Sequence, residues 1–173
     1  MKQVIIRKFS SEESEKLEDL LYEVVYVPEG TKPFPRDIIK IPEINAYING
    51  FGNQKDDYCL VAECKGKIIG AVWVRILSGD KKGYGYVDDE TPEFAISLFK
   101  EYRNRGIGTL LMQKMIIHLE ECGYAQTSLS VQKENYAVKM YLKLGFEIIC
   151  ENAEDYLMLL KLKNKEESLT NNN

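Results

Sequence analysis

The chain has 173 residues, 45% of them hydrophobic and 29% charged, with a formal net charge of −4. That length suits one domain able to bury roughly 70% of the surface its unfolded chain would expose. The acidic balance argues against a general nucleic-acid binder, which would be basic. No apolar run approaches the roughly 18 residues of a membrane span, and Met1-Lys2-Gln3 does not lead into a signal peptide. A cytoplasmic protein that engages no membrane is therefore expected. Four cysteines (Cys59, Cys64, Cys122, Cys150) show neither CxxC spacing nor a dense framework, and they read as buried free thiols. His118 is the only histidine. A histidine-rich metal site or a histidine triad has little support, no metal is expected, and His118 itself reads as a helix-packing residue.

Along the chain, Gln3 to Phe9 predicts a first strand, and Ser10 with Glu13 has capping-box spacing for a helix over Glu12 to Val25. Pro28, Gly30, Pro33 and Pro35 break regular structure, and Pro42 begins a short helix toward Phe51. This proline-rich middle serves equally as a substrate loop or a plain connector. Tyr58 to Cys64 and Ile68 to Leu77, separated by Lys65-Gly66-Lys67, carry a hairpin signal. A glycine- and acid-rich loop from Ser78 to Pro92 leads into a strand over Phe94 to Phe99. Thr109 to Cys122 predicts a helix with Ile107, Leu110, Leu111, Met115 and Leu119 on one apolar face and Gly123 at its end.

Thr127 to Val131 predicts a strand, Asn135 to Leu144 a helix ended by Gly145, and Phe146 to Cys150 and Asp155 to Leu162 the last strands. The order βααββ then βαβαββ defines an α/β class with a mixed central sheet of about 7 strands flanked by helices. One domain is expected over residues 1–162, with residues 163–173 a polar, disordered tail.

Arg103-Asn104-Arg105-Gly106-Ile107-Gly108 sits between a strand and a helix. A glycine turn opening a helix holds phosphates, because glycine admits close backbone approach and the first helical N–H groups lack intrahelical partners. The commoner phosphate binders do not fit. There is no GxxxxGK[ST], and Leu111 stands where a dinucleotide fingerprint needs its third glycine.

Downstream stands Asn135-Tyr136-Ala137-Val138-Lys139-Met140-Tyr141-Leu142-Lys143-Leu144-Gly145-Phe146. With this run and RxxGxG in that order, the chain resembles the GNAT (GCN5-related N-acetyltransferase) superfamily, over a core from about Phe94 to Phe146. The resemblance implies acetyl-CoA as co-substrate, its pyrophosphate wrapped by Arg103, Asn104, Arg105, Gly106, Ile107, Gly108 and Thr109. Arg103 or Arg105 would add a charge-assisted contact. Backbone groups of Ile96 and Leu98 would pair with the pantetheine arm, in a gap where their strand splays from Thr127 to Val131. Asn135 would lie beside the cofactor, or simply cap its helix.

The same resemblance makes Tyr141 the general acid for the leaving thiolate, although its helical stripe with Ala137, Val138 and Leu144 also suits a core tyrosine. Reference acidities of about 10 for Tyr and about 8.5 for a thiol make full transfer uphill by roughly 2 kcal/mol, so a hydrogen bond strengthening with charge is the better description. Glu93 leads as general base, with water as a relay; another tyrosine or bulk water would also serve. Asp88, Asp89 and Glu90 form either an ammonium-attracting cluster or a solvated loop. Trp73, alternating with Ala71, lines the acceptor pocket or, by default, packs the core.

These readings make the chain an N-acetyltransferase that acts by direct attack of a primary amine in a ternary complex. The acceptor would be a small-molecule or peptide amine, and the chain is open to self-association as a homodimer. A non-catalytic acyl-CoA sensor or interaction module would carry the same binding motifs. A purely structural domain would require both motifs to be accidental.

Overall fold

Strands form where β-branched and aromatic residues run or alternate, and glycine, proline and aspartate interrupt them. The computed structural model describes residues 4–80 and 82–163. In chain order its elements are β1 (Val4–Lys8), α1 (Leu17–Val24), α2 (Pro42–Asn45), β2 (Tyr58–Cys64), β3 (Lys67–Arg75) and β4 (Glu93–Leu98). There follow α3 (Ile107–Glu121), β5 (Gln126–Gln132), α4 (Ala137–Lys143), β6 (Glu147–Glu151) and β7 (Asp155–Lys161). Short 3-10 turns cover Ser11–Lys16, Arg36–Lys40 and Lys100–Tyr102. The strands make one 7-stranded sheet in the order β1-β2-β3-β4-β5-β7-β6. Only β4 and β5 pair in parallel, so the sheet is mixed, as the element order predicts.

Helices cover both faces. Against α3 and α4 lies a core that includes Val72, Val74, Phe94, Leu111, Met115, Leu129, Phe146 and Met158. On the opposite face Leu20 and Leu21 of α1, with Ile39, pack on Cys59, Val61, Ala71, Trp73 and Ala95. Trp73 is fully buried there and its Nε1 donates to the Tyr47 carbonyl at 3.0 Å, which makes it a core residue.

Several boundaries move for identifiable reasons. Lys65 and Gly66 both take left-handed φ (53° and 73°), a two-residue turn that brings Lys67 into β3 opposite Cys64. The helix expected over Glu12 to Val25 begins instead as a 3-10 turn, because Ser11–Lys16 buries none of its side chains and only Leu17 onward meets the sheet. Its capping box at Ser10 and Glu13 is present. Helix α3 starts at Ile107 because Gly106, with φ 77°, caps it. Leu110 leaves its expected apolar face, being 40% exposed, and Met112, fully buried, takes the place. All four cysteines are free, but only Cys59 and Cys64 are buried; Cys122 ends α3 and Cys150 lies on the exposed edge strand β6. His118 stacks on the Tyr58 ring at 3.5 Å. Gln3 at the start of the first expected strand, and residues 164–173 of the expected tail, lie outside the described residues.

Arg7 on β1 ties the N-terminal segment to the sheet, with its guanidinium 2.6 Å from Glu13 and 2.7 Å from Glu63. The Arg7 guanidinium, helped by the Ser10 N–H, holds the Glu13 carboxyl down to about 2. A carboxyl depressed in the folded state stabilises above its unfolded pKa of about 4.5 and loses that contribution as pH falls toward the folded value. Glu13→Gln keeps the capping geometry and should lower stability at neutral pH by about 1 kcal/mol, a figure discounted for partial exposure. In urea unfolding the deficit should shrink below about pH 4.5 and vanish near pH 2; a deficit of constant size would contradict the ion-pair origin.

Candidate active site

The parallel pair β4–β5 is bridged only at Glu93 and Ser128, where the Ser128 N–H donates to the Pro92 carbonyl at 3.1 Å. Backbone groups alternate sides along a strand. Since Pro92 points to β5 and the Phe99 N–H points to the Ile69 carbonyl beside β3, the peptide groups of Ile96 and Leu98 face β5. No ladder pairs them there among the described residues. The strands part, leaving a slot edged by the Ile96 and Leu98 amides. Gly70 on β3 lies so close beneath Leu98 that a Cβ there would come within 2.3 Å of the leucine side chain.

At the open end of this slot the turn from Arg103 to Gly108 carries left-handed φ at Asn104 (58°) and Gly106 (77°). Alternating conformations of this kind form an anion-binding concavity. The N–H groups of Ile107, Gly108 and Thr109 follow it unpaired within α3, whose first internal bond runs from Leu110 to Gly106. A negative charge here gains typically ~0.3–1 kcal/mol from the helix macrodipole. Gly108 is informative: its φ is ordinary, and a Cβ would sit 3.5 Å from Leu98 and 3.6 Å from Met140, in unstrained contact. The fold therefore tolerates a methyl group at 108, packed against Leu98 and Met140.

The two arginines divide. Arg103 is committed to the protein, with Nε donating to the Leu98 carbonyl at 2.8 Å and the guanidinium pairing with Glu23 of α1 at 2.8 Å. Arg105 is exposed, lies 5.8 Å from the Tyr102 ring centroid, and keeps its charge beside the turn.

Glu93 lies at the closed end of the slot, where β4 and β5 still pair. It is 2% exposed and faces α2's side of the sheet. Its Oε2 accepts from the Tyr47 hydroxyl at 2.7 Å and from the Gly85 N–H at 3.1 Å, whereas Oε1 is enclosed and has no hydrogen-bond partner among the described residues. Burial pushes this carboxyl above its ordinary value, and the Tyr47 hydroxyl and the Gly85 and Gly83 N–H groups pull it back. Gly83 and Gly85 let the loop press onto Glu93: a Cβ at 83 would fall 2.3 Å from the carboxylate and displace it, and one at 85 would sit tightly, 3.0 Å from the Leu129 backbone. Ser128 fastens the loop by donating to the Gly85 carbonyl at 2.6 Å.

Tyr141 on α4 is 6% exposed and meets Phe146 edge to face at 5.9 Å, so it shares the core that Phe94 and Leu129 build under the slot. Burial raises its phenol well above 10 and keeps it protonated. Asn135 caps α4, its Oδ1 accepting from the Ala137 N–H at 2.9 Å. Of the acidic cluster, Asp88 is bound to the Glu90 N–H, Thr91 and Gln126, and Asp89 accepts from Tyr86, so both fasten the loop. A cleft of about 720 Å³ between Asp56, Asp88, Glu90 and Tyr124 lies at the far end of α3 from the anion turn and is a separate feature. Among the described residues no group of three or more His, Cys, Asp or Glu is placed to hold a metal, and no helix is long and apolar enough to cross a membrane.

Sequence reasoning missed Tyr47 and Gly70, whose roles depend on contacts across the sheet. The pattern Gly83-Tyr84-Gly85-Tyr86 was a readable signal for a backbone pressed onto a side chain.

A seven-stranded mixed sheet with a parted parallel pair, and a glycine-capped helix start at its mouth, define a class of α/β fold. The same architecture is found in a GNAT-family acetyltransferase from Streptococcus pneumoniae (TM-score 0.67, 23% identity, 93% of this chain and 100% of that one). It recurs in the PaiA N-acetyltransferase of Thermoplasma acidophilum, solved with coenzyme A (TM-score 0.67, 20% identity, 92% and 99%). It is also seen in YncA of Salmonella typhimurium, a putative acetyltransferase solved with acetyl-CoA (TM-score 0.63, 17% identity, 94% and 95%). No curated protein matches the chain. The model of the acetyltransferase (GNAT) family matches residues 15–146, well over half the sequence, and the chain belongs to that family.

Gly108→Ala separates ligand from fold. Because the added methyl fits, the melting temperature should stay within about 2 °C of wild type, while coenzyme A affinity measured by calorimetry should drop at least ~10-fold. Unchanged affinity would remove the turn from the site.

Proposed function

We propose that the protein is an N-acetyltransferase that moves an acetyl group from acetyl-CoA to a primary amine by direct attack in a ternary complex. The observation that carries this reading is the slot itself. An edge of β4 with no ladder at Ile96 and Leu98, where Arg103 holds the Leu98 carbonyl and leaves the N–H groups facing the slot, leads from the glycine turn to a buried carboxylate. A pantetheine arm carries amides that can pair with a strand edge, and a pyrophosphate suits the N–H groups of Gly106 to Thr109 with Arg105 beside them. The coenzyme A and acetyl-CoA bound by the archaeal and Salmonella relatives support that choice of co-substrate. The residues present fit it, since the N–H groups that open α3 have no partner within the helix and the β4 edge beside them is free of a ladder.

In the proposed reaction the amine nitrogen bonds to the thioester carbon and the carbon–sulfur bond breaks. Glu93, through a water, takes the proton that an amine of pKa near 10.4 must lose before attack, and the second proton leaves the nitrogen after the bond forms and passes through solvent to the released thiolate. The Leu98 N–H faces the slot and is placed to receive the charge developing on the carbonyl oxygen. Arg103 restrains the Leu98 carbonyl and thereby the aim of that N–H. Tyr141, kept protonated by burial, donates a hydrogen bond to the departing sulfur. Small-molecule amines, peptide N-termini and lysine side chains are all acceptors this chemistry would serve. Asn135 contributes by ordering the start of α4, and with it the position of Tyr141.

Release of free thiol from acetyl-CoA, assayed with spermidine, an alanyl peptide and Nα-acetyl-lysine, is the test. Thiol release that depends on one of these amines is expected; binding of acetyl-CoA with no release to any would favour the sensor reading. Tyr141→Phe should bind acetyl-CoA normally and lose about 10–100-fold in kcat. Glu93 must be ionised to act and burial raises it. Activity should therefore fall on the acid side from a pH above the usual carboxylate range. Tyr141 should add no alkaline limb below about pH 10.

A further inference from the structure

Tyr47 lies outside the slot and outside the motifs that mark the family, yet its hydroxyl is 2.7 Å from the Glu93 carboxylate. Its place is over-determined. The Tyr47 carbonyl accepts from Trp73 Nε1 at 3.0 Å, and the Arg75 guanidinium donates to the carbonyls of Ala46 at 2.7 Å and Asn49 at 3.0 Å. Arg75 is itself buried and paired with Asp57 at 3.1 Å. Two side chains of β3 thus pin the turn after α2 from both sides of residue 47. The hydroxyl also accepts from the Tyr84 N–H at 2.9 Å, so it joins the turn, the loop over Glu93 and the carboxylate in one chain of hydrogen bonds.

We propose that Tyr47 is a positioning residue for the base: its hydroxyl, held by the pinned turn, donates to Glu93 Oε2 and fixes the orientation of the buried carboxylate. This rests on the reading of Glu93 given above. A hydroxyl that donates to the ionised form favours it, and here it opposes the penalty of burial. The other groups around Glu93 do not compete for that part. Arg75, in register with it on β3, is neutralised by Asp57. From the loop, Gly83 and Gly85 present backbone N–H groups, Tyr84 is 57% exposed, and Tyr86 donates to Asp89 at 2.9 Å with Lys82 over its ring. From β5 comes Ser128, which donates to the Gly85 carbonyl.

Tyr47→Phe keeps the ring and every backbone tie, and removes only the hydroxyl. With glutamate carboxyls labelled with carbon-13, the resonance absent from Glu93→Gln identifies Glu93, and its titration can be followed with no acceptor present. The midpoint in Tyr47→Phe should rise by about one pH unit. The acid limb of kcat/KM for acetyl-CoA with spermidine, or whichever of the three amines is acetylated, should move by the same amount. An unmoved midpoint, with activity still lost in Glu93→Gln, would overturn the role of Tyr47 alone. Full activity and an unaltered acid limb in Glu93→Gln would overturn the base assignment, and the role of Tyr47 with it.

Discussion

Everything in the site depends on one broken ladder. A parallel strand pair is stable when its slanted hydrogen bonds run along its whole length, yet β4 and β5 are bridged only at Glu93 and Ser128. The sheet holds this defect because its neighbours are well paired: β3 is in register with β4 from Gly70–Leu98 to Arg75–Glu93, and β7 with β5 from Gln126–Lys161 to Gln132–Asp155. Unpaired peptide groups within a sheet must find partners in water or a ligand. The parting of the strands is thus a standing demand for something that hydrogen-bonds like a strand. On the proposed reading, the pantetheine arm supplies it.

The two ends of the slot have opposite electrostatic character, and each is produced by local backbone geometry. At the mouth, left-handed residues and the start of a 15-residue helix turn N–H groups outward, so the site is positive although the chain carries net negative charge. At the closed end a carboxylate is buried among hydroxyl and backbone donors, with burial and hydrogen bonding in opposition. An anionic co-substrate and a cationic acceptor would each meet favourable charge, approaching from different directions. Arg103 links the parts mechanically, since it fastens the end of β4 to α1.

Legibility in the sequence followed the range of the interactions. The turn at Arg103–Gly108, the cap at Asn135, the capping box at Ser10–Glu13 and the hairpin at Lys65-Gly66 are local, and their residue types reveal them. Strand and helix order was equally readable, because periodicity survives in the chain. Contacts across the sheet were not. Nothing near Tyr47 announces a bond to a carboxylate 46 positions away, and Gly70 looks ordinary until Leu98 lies over it. The two possible phosphate arginines could be separated only once Glu23 was seen beside one of them. Leu110 turns outward and Met112 inward because the apolar stripe of α3 is broad and its rotation is set by packing against the sheet.

The central claim is that the edge of β4 is a docking strand. Backbone amide resonances of the protein, followed while coenzyme A is added, address it at the level of single peptide groups. The account predicts large shifts and slowed hydrogen exchange at Ile96 and Leu98, together with shifts at Gly106, Ile107, Gly108 and Thr109. Unperturbed amides at Ile96 and Leu98, with changes confined to the separate cleft around Asp88 and Tyr124, would contradict it.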